Sequence, residues 1–96
     1  MDTAALSVRD NRAELRYELV RGGEVLGFLL YRIEADGVVL VHTEVDPADE
    51  GEGLGSVLVK EALDDLRQRH VRAIPLCPFV RAYIRRHPEY APVNAR

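Results

Sequence analysis

Three groups of side chains in this 96-residue sequence have types and spacings that could do chemistry. The first is Glu50-Gly51-Glu52-Gly53-Leu54-Gly55-Ser56, three alternating glycines where a loop meets an amphipathic stretch. Glycines let a backbone approach a ligand closely, and a helix start adds unpartnered N–H groups and the positive end of the dipole; together these can cradle a phosphate. The same glycines would equally serve a tight loop-to-helix junction packed on a sheet. Spacing excludes two familiar phosphate loops. No Gly-Lys-Ser/Thr follows four intervening residues, and Gly53 and Gly55 are one residue apart where the dinucleotide fingerprint needs two. The second group is His42 and Glu44, two apart on an expected strand and so on one face, where a histidine–carboxylate pair can accept a proton. A polar strand end without chemistry is the competing reading. The third is Cys77, the one cysteine, next to Pro78. Such a residue is either a small buried apolar side chain or, as a thiolate, a nucleophile.

The elements that must position these groups follow from periodicity. Ala5 to Val8 is a short first strand and Asp10-Asn11-Arg12 a turn. Ala13 to Val20 alternates, with Ala13, Leu15, Tyr17 and Leu19 on one face and Glu14, Arg16 and Glu18 on the other, which predicts a half-exposed strand. Arg21-Gly22-Gly23-Glu24 is a hairpin signal. Val25 to Ile33 is apolar on both faces, as in a central strand covered on both sides, and Val38 to Val45 follows the turn Ala35-Asp36-Gly37. From Gly53 to His70 the period becomes helical, with Leu54, Leu58, Ala62 and Leu66 on one stripe. Ala73 to Leu76 predicts a buried strand, and Phe79 to His87 a helix between Pro78 and Pro88. The order is an antiparallel meander, a β-α-β unit with a right-handed crossover, and a final helix: an α+β mixed sheet.

Length and composition bound the rest. Ninety-six residues read as a single domain over 1–96, and 47% hydrophobic with 30% charged residues is ordinary globular composition. A net charge of −3 argues against a generic nucleic-acid or membrane-surface binder. No cluster has zinc-ligand spacing, so no metal is expected. No basic stretch leads into an apolar run at the N-terminus, which points to a cytoplasmic protein. The small net charge hides a division: residues 34–66 carry ten acids against Lys60 alone, and residues 67–96 carry seven arginines against Glu89.

Four segments in order carry a resemblance. They are His42-Thr43-Glu44-Val45, Gly51-Glu52-Gly53-Leu54-Gly55-Ser56, Pro75-Leu76-Cys77-Pro78-Phe79-Val80, and Tyr83-Ile84-Arg85-Arg86-His87-Pro88-Glu89-Tyr90. With them the sequence resembles the GNAT superfamily of acetyl-coenzyme A-dependent N-acetyltransferases, in its compact single-domain form, from about Ala13 to Tyr90. The resemblance implies a GNAT-like mixed sheet and acetyl transfer from acetyl-coenzyme A to a primary amine of a small molecule or a protein lysine. It implies that the coenzyme pyrophosphate rests on N–H groups of Gly51, Glu52, Gly53, Leu54, Gly55 and Ser56. The pantetheine arm would run along Thr43 to Val45, and the thioester would point toward Leu76 and Cys77. Cys77 would then take the acetyl group transiently or line the pocket while the amine attacks directly. His42 and Glu44 would activate that amine, and Tyr83 would protonate the leaving sulfur.

Arg85 and Arg86 face different ways on their helix, and at least one suits the coenzyme phosphates. Glu50 and Glu52 depart from the superfamily pattern and are electrostatically unhelpful beside a pyrophosphate. They favour the alternative, a coenzyme A-binding or protein-interaction module with little or no turnover. The resemblance also implies an acceptor side left open, because no helical segment separates the first two strands, in a monomer or a homodimer.

Overall fold

The computed structural model describes residues 5–47 and 53–91. Five strands form one sheet in chain order: β1 (Leu6–Asn11), β2 (Arg16–Arg21), β3 (Glu24–Glu34), β4 (Gly37–Val45) and β5 (Ala73–Pro75). The first four pair antiparallel, and β5 lies parallel to β4 after α1 (Leu54–Gln68). A second helix, α2 (Pro78–Arg86), is followed by a short 3-10 turn (Pro88–Tyr90). The expected meander and β-α-β unit are both present.

The first hairpin is displaced from its expected position. Asp10 and Asn11 lie in β1, and the turn falls on the residues after them. The Glu14 amide donates to both the Asn11 carbonyl and the Asn11 side-chain oxygen, at 3.2 Å each. Leu15 then takes a left-handed conformation, φ 55°, and its carbonyl accepts from the Tyr31 amide at 2.9 Å. Side-chain closure of the turn overrides the alternation that runs through Ala13 and Leu15. Four residues, 12–15, join β1 to β2, which leaves no room for a helix between them. The second hairpin is where Gly22 and Gly23 put it, both at positive φ.

Both helices pack on one face of the sheet. Their buried residues join a cluster with Tyr17, Leu19, Leu29, Tyr31 and Leu40. On α1 the expected stripe is the buried one, with Leu58, Val59, Ala62, Leu63 and Leu66 at 0% exposure. Each such Leu or Val contributes roughly 1.5–3 kcal/mol by leaving water. The other face has no helix among the described residues. There Phe28 and Leu30 are only half-buried, so β3 is covered on one side, not on both.

Glu18 also departs from expectation. It points to the face without helices, as the alternation predicts, yet it is 1% exposed. Arg9, Arg16 and Asn11 donate to its carboxylate at 2.7, 2.7 and 3.0 Å. Burial opposes its ionisation, but these donors outweigh that and hold its pKa down at about 2.

Candidate active site

The site begins with an irregularity in β4. Leu30 pairs with His42, but the next residue, Tyr31, pairs with Leu40, so Val41 is an extra residue in the β4 strand. Such a bulge re-aims the side chains beyond it. It puts Thr43 on the helix face with Leu40, and His42 and Glu44 on the opposite face.

β5 leaves β4 at the same point. Its pairing ends at Leu40 with Pro75, and the amides of Leu76 and Cys77 both converge on the Leu40 carbonyl, at 3.0 and 2.9 Å. From His42 to Val45, β4 pairs with β3 on one side and has no β5 partner on the other. Beyond Leu40 the β5 side of β4 is therefore open between the two faces, with the Thr43 amide turned toward Cys77.

Cys77 stands at this opening, 3% exposed, as the residue capping the start of α2. Its Sγ is 3.4 Å from the Thr43 hydroxyl. Burial alone would raise its pKa, but the Thr43 hydroxyl and the amides of Val80, Phe79 and Thr43 favour the thiolate and bring it below the usual thiol range. No full capping hydrogen bond closes at this position, so the amides act mainly as oriented dipoles. On the opposite face His42 Nε2 lies 3.2 Å from Glu44 Oε1, with the two side chains 55% and 61% exposed. The strand thus separates a sulfur from a histidine–carboxylate pair.

The helix side of the opening is the start of α1. Gly53 precedes the helix at φ 74°, a conformation that glycine adopts without strain, and no side chain among the described residues caps the helix. Val57 is the first residue whose amide reaches back, to the Gly53 carbonyl at 3.3 Å. The amides of Leu54, Gly55 and Ser56 therefore have no partner within the helix. Leu54 anchors this turn at 4% exposure. These residues suit an anionic group of a co-substrate, whereas Gly51 and Glu52, expected in the same cradle, lie outside the described residues. No group of three or more His, Cys, Asp or Glu could hold a metal among the described residues.

Tyr83 is the predicted residue that is not brought to the sulfur by any described contact. It is 4% exposed, its ring stacks on His87 at 4.1 Å, and Tyr90 lies 5.8 Å away. Burial raises its pKa; Lys60 pulls it down, and Glu89 and Asp64 push it up. Val45 is packed against the core from its half-buried position, and Arg85 and Arg86 are exposed on α2.

Phe79 is the residue that sequence reasoning passed over. Its ring lies across Gly55: a Cβ on Gly55 would come within 2.9 Å of Phe79 Cζ. The signal was a glycine inside the first helical turn, which helix propensity disfavours, and an aromatic residue two places after Cys77.

A cavity of about 460 Å³ lies elsewhere, at the far end of α1, with Asp10, Tyr17, Tyr31, Arg69 and Arg72 in its lining. Its polar groups are largely paired: Tyr17 donates to Asp65, outside the lining, at 2.7 Å, Arg12 to Asp10 at 3.0 Å, and Tyr31 to Asp10 as well. The buried Nε of Arg72 is the exception, lacking a partner. Volume alone therefore does not mark the site, and the open donors gather at the other end.

Comparison with known proteins agrees with this fold. Over 60 residues the chain is 28% identical to the [ribosomal protein bS18]-alanine N-acetyltransferase of Escherichia coli K12, a stretch that makes up 62% of this chain and 40% of that protein. The counterpart in Shigella flexneri gives the same figures. This chain thus spans less than half the length of those relatives. The solution structure of a GCN5-like protein from Staphylococcus aureus matches the fold with a TM-score of 0.69, over 92% of this chain and 86% of that one, at 21% identity. The family model described as GCN5-related N-acetyl-transferase matches residues 16–93. That match runs from the second strand past the last helix, and the chain belongs to the GCN5-related N-acetyltransferases.

Proposed function

We propose that this chain moves an acetyl group from acetyl-coenzyme A to a primary amine. The observation that carries the reading is the open β4 edge from His42 to Val45, lying between an uncapped helix start and Cys77. An extended amide-containing arm can pair with that edge as a strand would. The amides of Leu54, Gly55 and Ser56 would hold the pyrophosphate, with Gly51, Glu52 and Gly53 in the same loop. Thr43 and Val45 would line the pantetheine arm, and Arg85 or Arg86 would meet the outer phosphates.

The chemistry divides between the two faces. An ammonium group arriving beside His42 and Glu44 would lose its proton to the imidazole, with the carboxylate holding the ring. The neutral amine would then attack the thioester carbon from that face. In the direct route the C–N bond forms and the C–S bond to the coenzyme breaks. The departing thiolate takes a proton from Tyr83, whose raised pKa keeps the phenol protonated, and the second proton shed by the nitrogen as the amide forms restores the phenol through solvent. In the covalent route the Cys77 thiolate attacks first and the coenzyme thiolate leaves. The amine then displaces Cys77 from the acetyl group, and both thiolates end free to take up protons. The acceptor panel includes lysine side chains, polyamines and, from the E. coli relative named above, a protein α-amine.

The alternative, a coenzyme-binding module without turnover, is favoured by Glu50 and Glu52 in the phosphate loop. Titration with acetyl-coenzyme A and free coenzyme A, followed by a thiol-release assay across the panel, separates the readings. Binding with thiol release supports the enzyme, binding without release supports the module, and no binding at millimolar concentration sinks both. Intact mass tests the covalent route: an acetyl adduct on the native chain should vanish in Cys77→Ala.

A further inference from the structure

We propose that Phe79 controls access to Cys77: its ring, seated on Gly55, closes the gap between the first turns of the two helices and must leave Gly55 before a pantetheine-borne acyl group can reach the sulfur. This rests on the coenzyme reading above for its substrate, but the closure itself is a property of the chain.

Phe79 has a foot in each half of the site. Its backbone amide is one of the groups that favour the Cys77 thiolate, so the residue starts beside the sulfur. Its ring ends on the second residue of α1, where Cζ, Cε1 and Cε2 would lie 2.9, 3.3 and 3.4 Å from a Cβ on Gly55. The residue therefore reaches from the sulfur, through its backbone amide, to the helix start, through its ring. These are the two places that a bound coenzyme would have to join.

The other observations fit a movable cover better than a core residue. Phe79 is 40% exposed, whereas its neighbours Cys77 and Val80 are 3% and 0% exposed. A half-exposed ring gives up little burial when it swings out. Gly55 explains itself in the same way. It lies in the first turn of α1, where its helical backbone does not require glycine, and the nearest atoms that a side chain would meet there are those of the Phe79 ring. The absent side chain is the seat for the ring.

The single cysteine makes the test direct, because alkylation by iodoacetamide without any coenzyme reports on Cys77 alone. Two variants move the ring differently. Phe79→Ala removes it, and Gly55→Ala pushes it off its seat while improving helix propensity, so loss of folding does not confuse the result. Both should raise the alkylation rate by about tenfold or more, as thiol reactivity follows access. The increase should persist at pH values where the thiol is fully ionised, so that it reports access and not ionisation. Rates within twofold of the native chain in both variants overturn the proposal. So does a rate increase that arises wholly from a shifted midpoint, since that is electrostatics and not access. Acetyl-coenzyme A added to the native chain keeps the two readings apart: failure to protect Cys77 counts against the coenzyme site, and the coenzyme-free rates still decide the role of Phe79.

Discussion

The two ends of α1 carry opposite kinds of polar group. At the C-terminal end Asp65 accepts from Tyr17 at 2.7 Å and from Arg69 at 3.2 Å, and Asp36 meets Arg72 at 3.5 Å. At the N-terminal end three helix amides have no partner within the helix, β4 runs on past the end of β5, and a thiol below its usual pKa range is met by uncharged groups, the Thr43 hydroxyl at 3.4 Å and nearby amides. Folding alone favours the first arrangement, since a polar group left without a partner costs free energy. The second is tolerable where a ligand or water supplies the missing partner. The contrast separates groups that hold the fold from groups available for chemistry, and substitutions can test it in order of the stability they remove.

The largest loss should come from the most enclosed charge. Glu18→Gln keeps the shape but takes the anion from Arg9 and Arg16. It should cost about 3–5 kcal/mol near neutral pH in denaturant unfolding, the range for breaking a buried pair. The pH dependence fixes the cause. The folded-state pKa is depressed from 4.5 to about 2, so the stabilisation is complete above pH 4.5 and is lost as pH falls toward 2. The native chain should lose stability steeply in that window, and the variant should lose correspondingly less. Equal acid limbs would refute the account.

Next is Asp65→Ala at the tied end of α1. It strands the Tyr17 hydroxyl, on a residue 2% exposed, and should cost about 1–3 kcal/mol. Acetyl transfer per folded molecule should be unchanged. A fall in turnover at temperatures where the variant is fully folded would break the division between the two ends.

Gly53→Ala strikes the open end through the backbone. No atom of the described residues lies within 4 Å of the added Cβ, so the cost is conformational, about 1–2 kcal/mol for a left-handed alanine. Relaxing that strain would rotate the first amides of α1. Calorimetric titration should show weaker acetyl-coenzyme A binding, in contrast to Asp65→Ala.

What the sequence made legible follows the same division. The α1 stripe from Leu54 to Leu66 and the Gly22-Gly23 turn were readable because each depends on neighbours a few residues away. The Val41 bulge was not, because Val38-Val39-Leu40-Val41 is apolar throughout and carries no parity to show the slip. The cage of Glu18 draws Arg9 and Asn11 from another strand, and Phe79 reaches Gly55 across 24 positions of chain. Pairing of His42 with Glu44 was foreseen from their spacing of two, since a bulge before both leaves their shared face intact.

That pair is the smallest term in stability and the sharpest test of the comparison. Both side chains are more than half exposed, so solvent screens their attraction, and exposed pairs contribute between nothing and about 1 kcal/mol. His42→Asn should therefore leave unfolding within about 0.5 kcal/mol of the native chain. If the imidazole takes the proton from the acceptor amine, kcat should fall by about 10²-fold or more while acetyl-coenzyme A binding holds. The loss should shrink as pH rises, because at high pH more of the amine arrives already neutral. A uniform loss at all pH values would make His42 a positioning residue. Unchanged turnover would leave the exposed face of β4 without a part in proton transfer and shift the amine's activation to water.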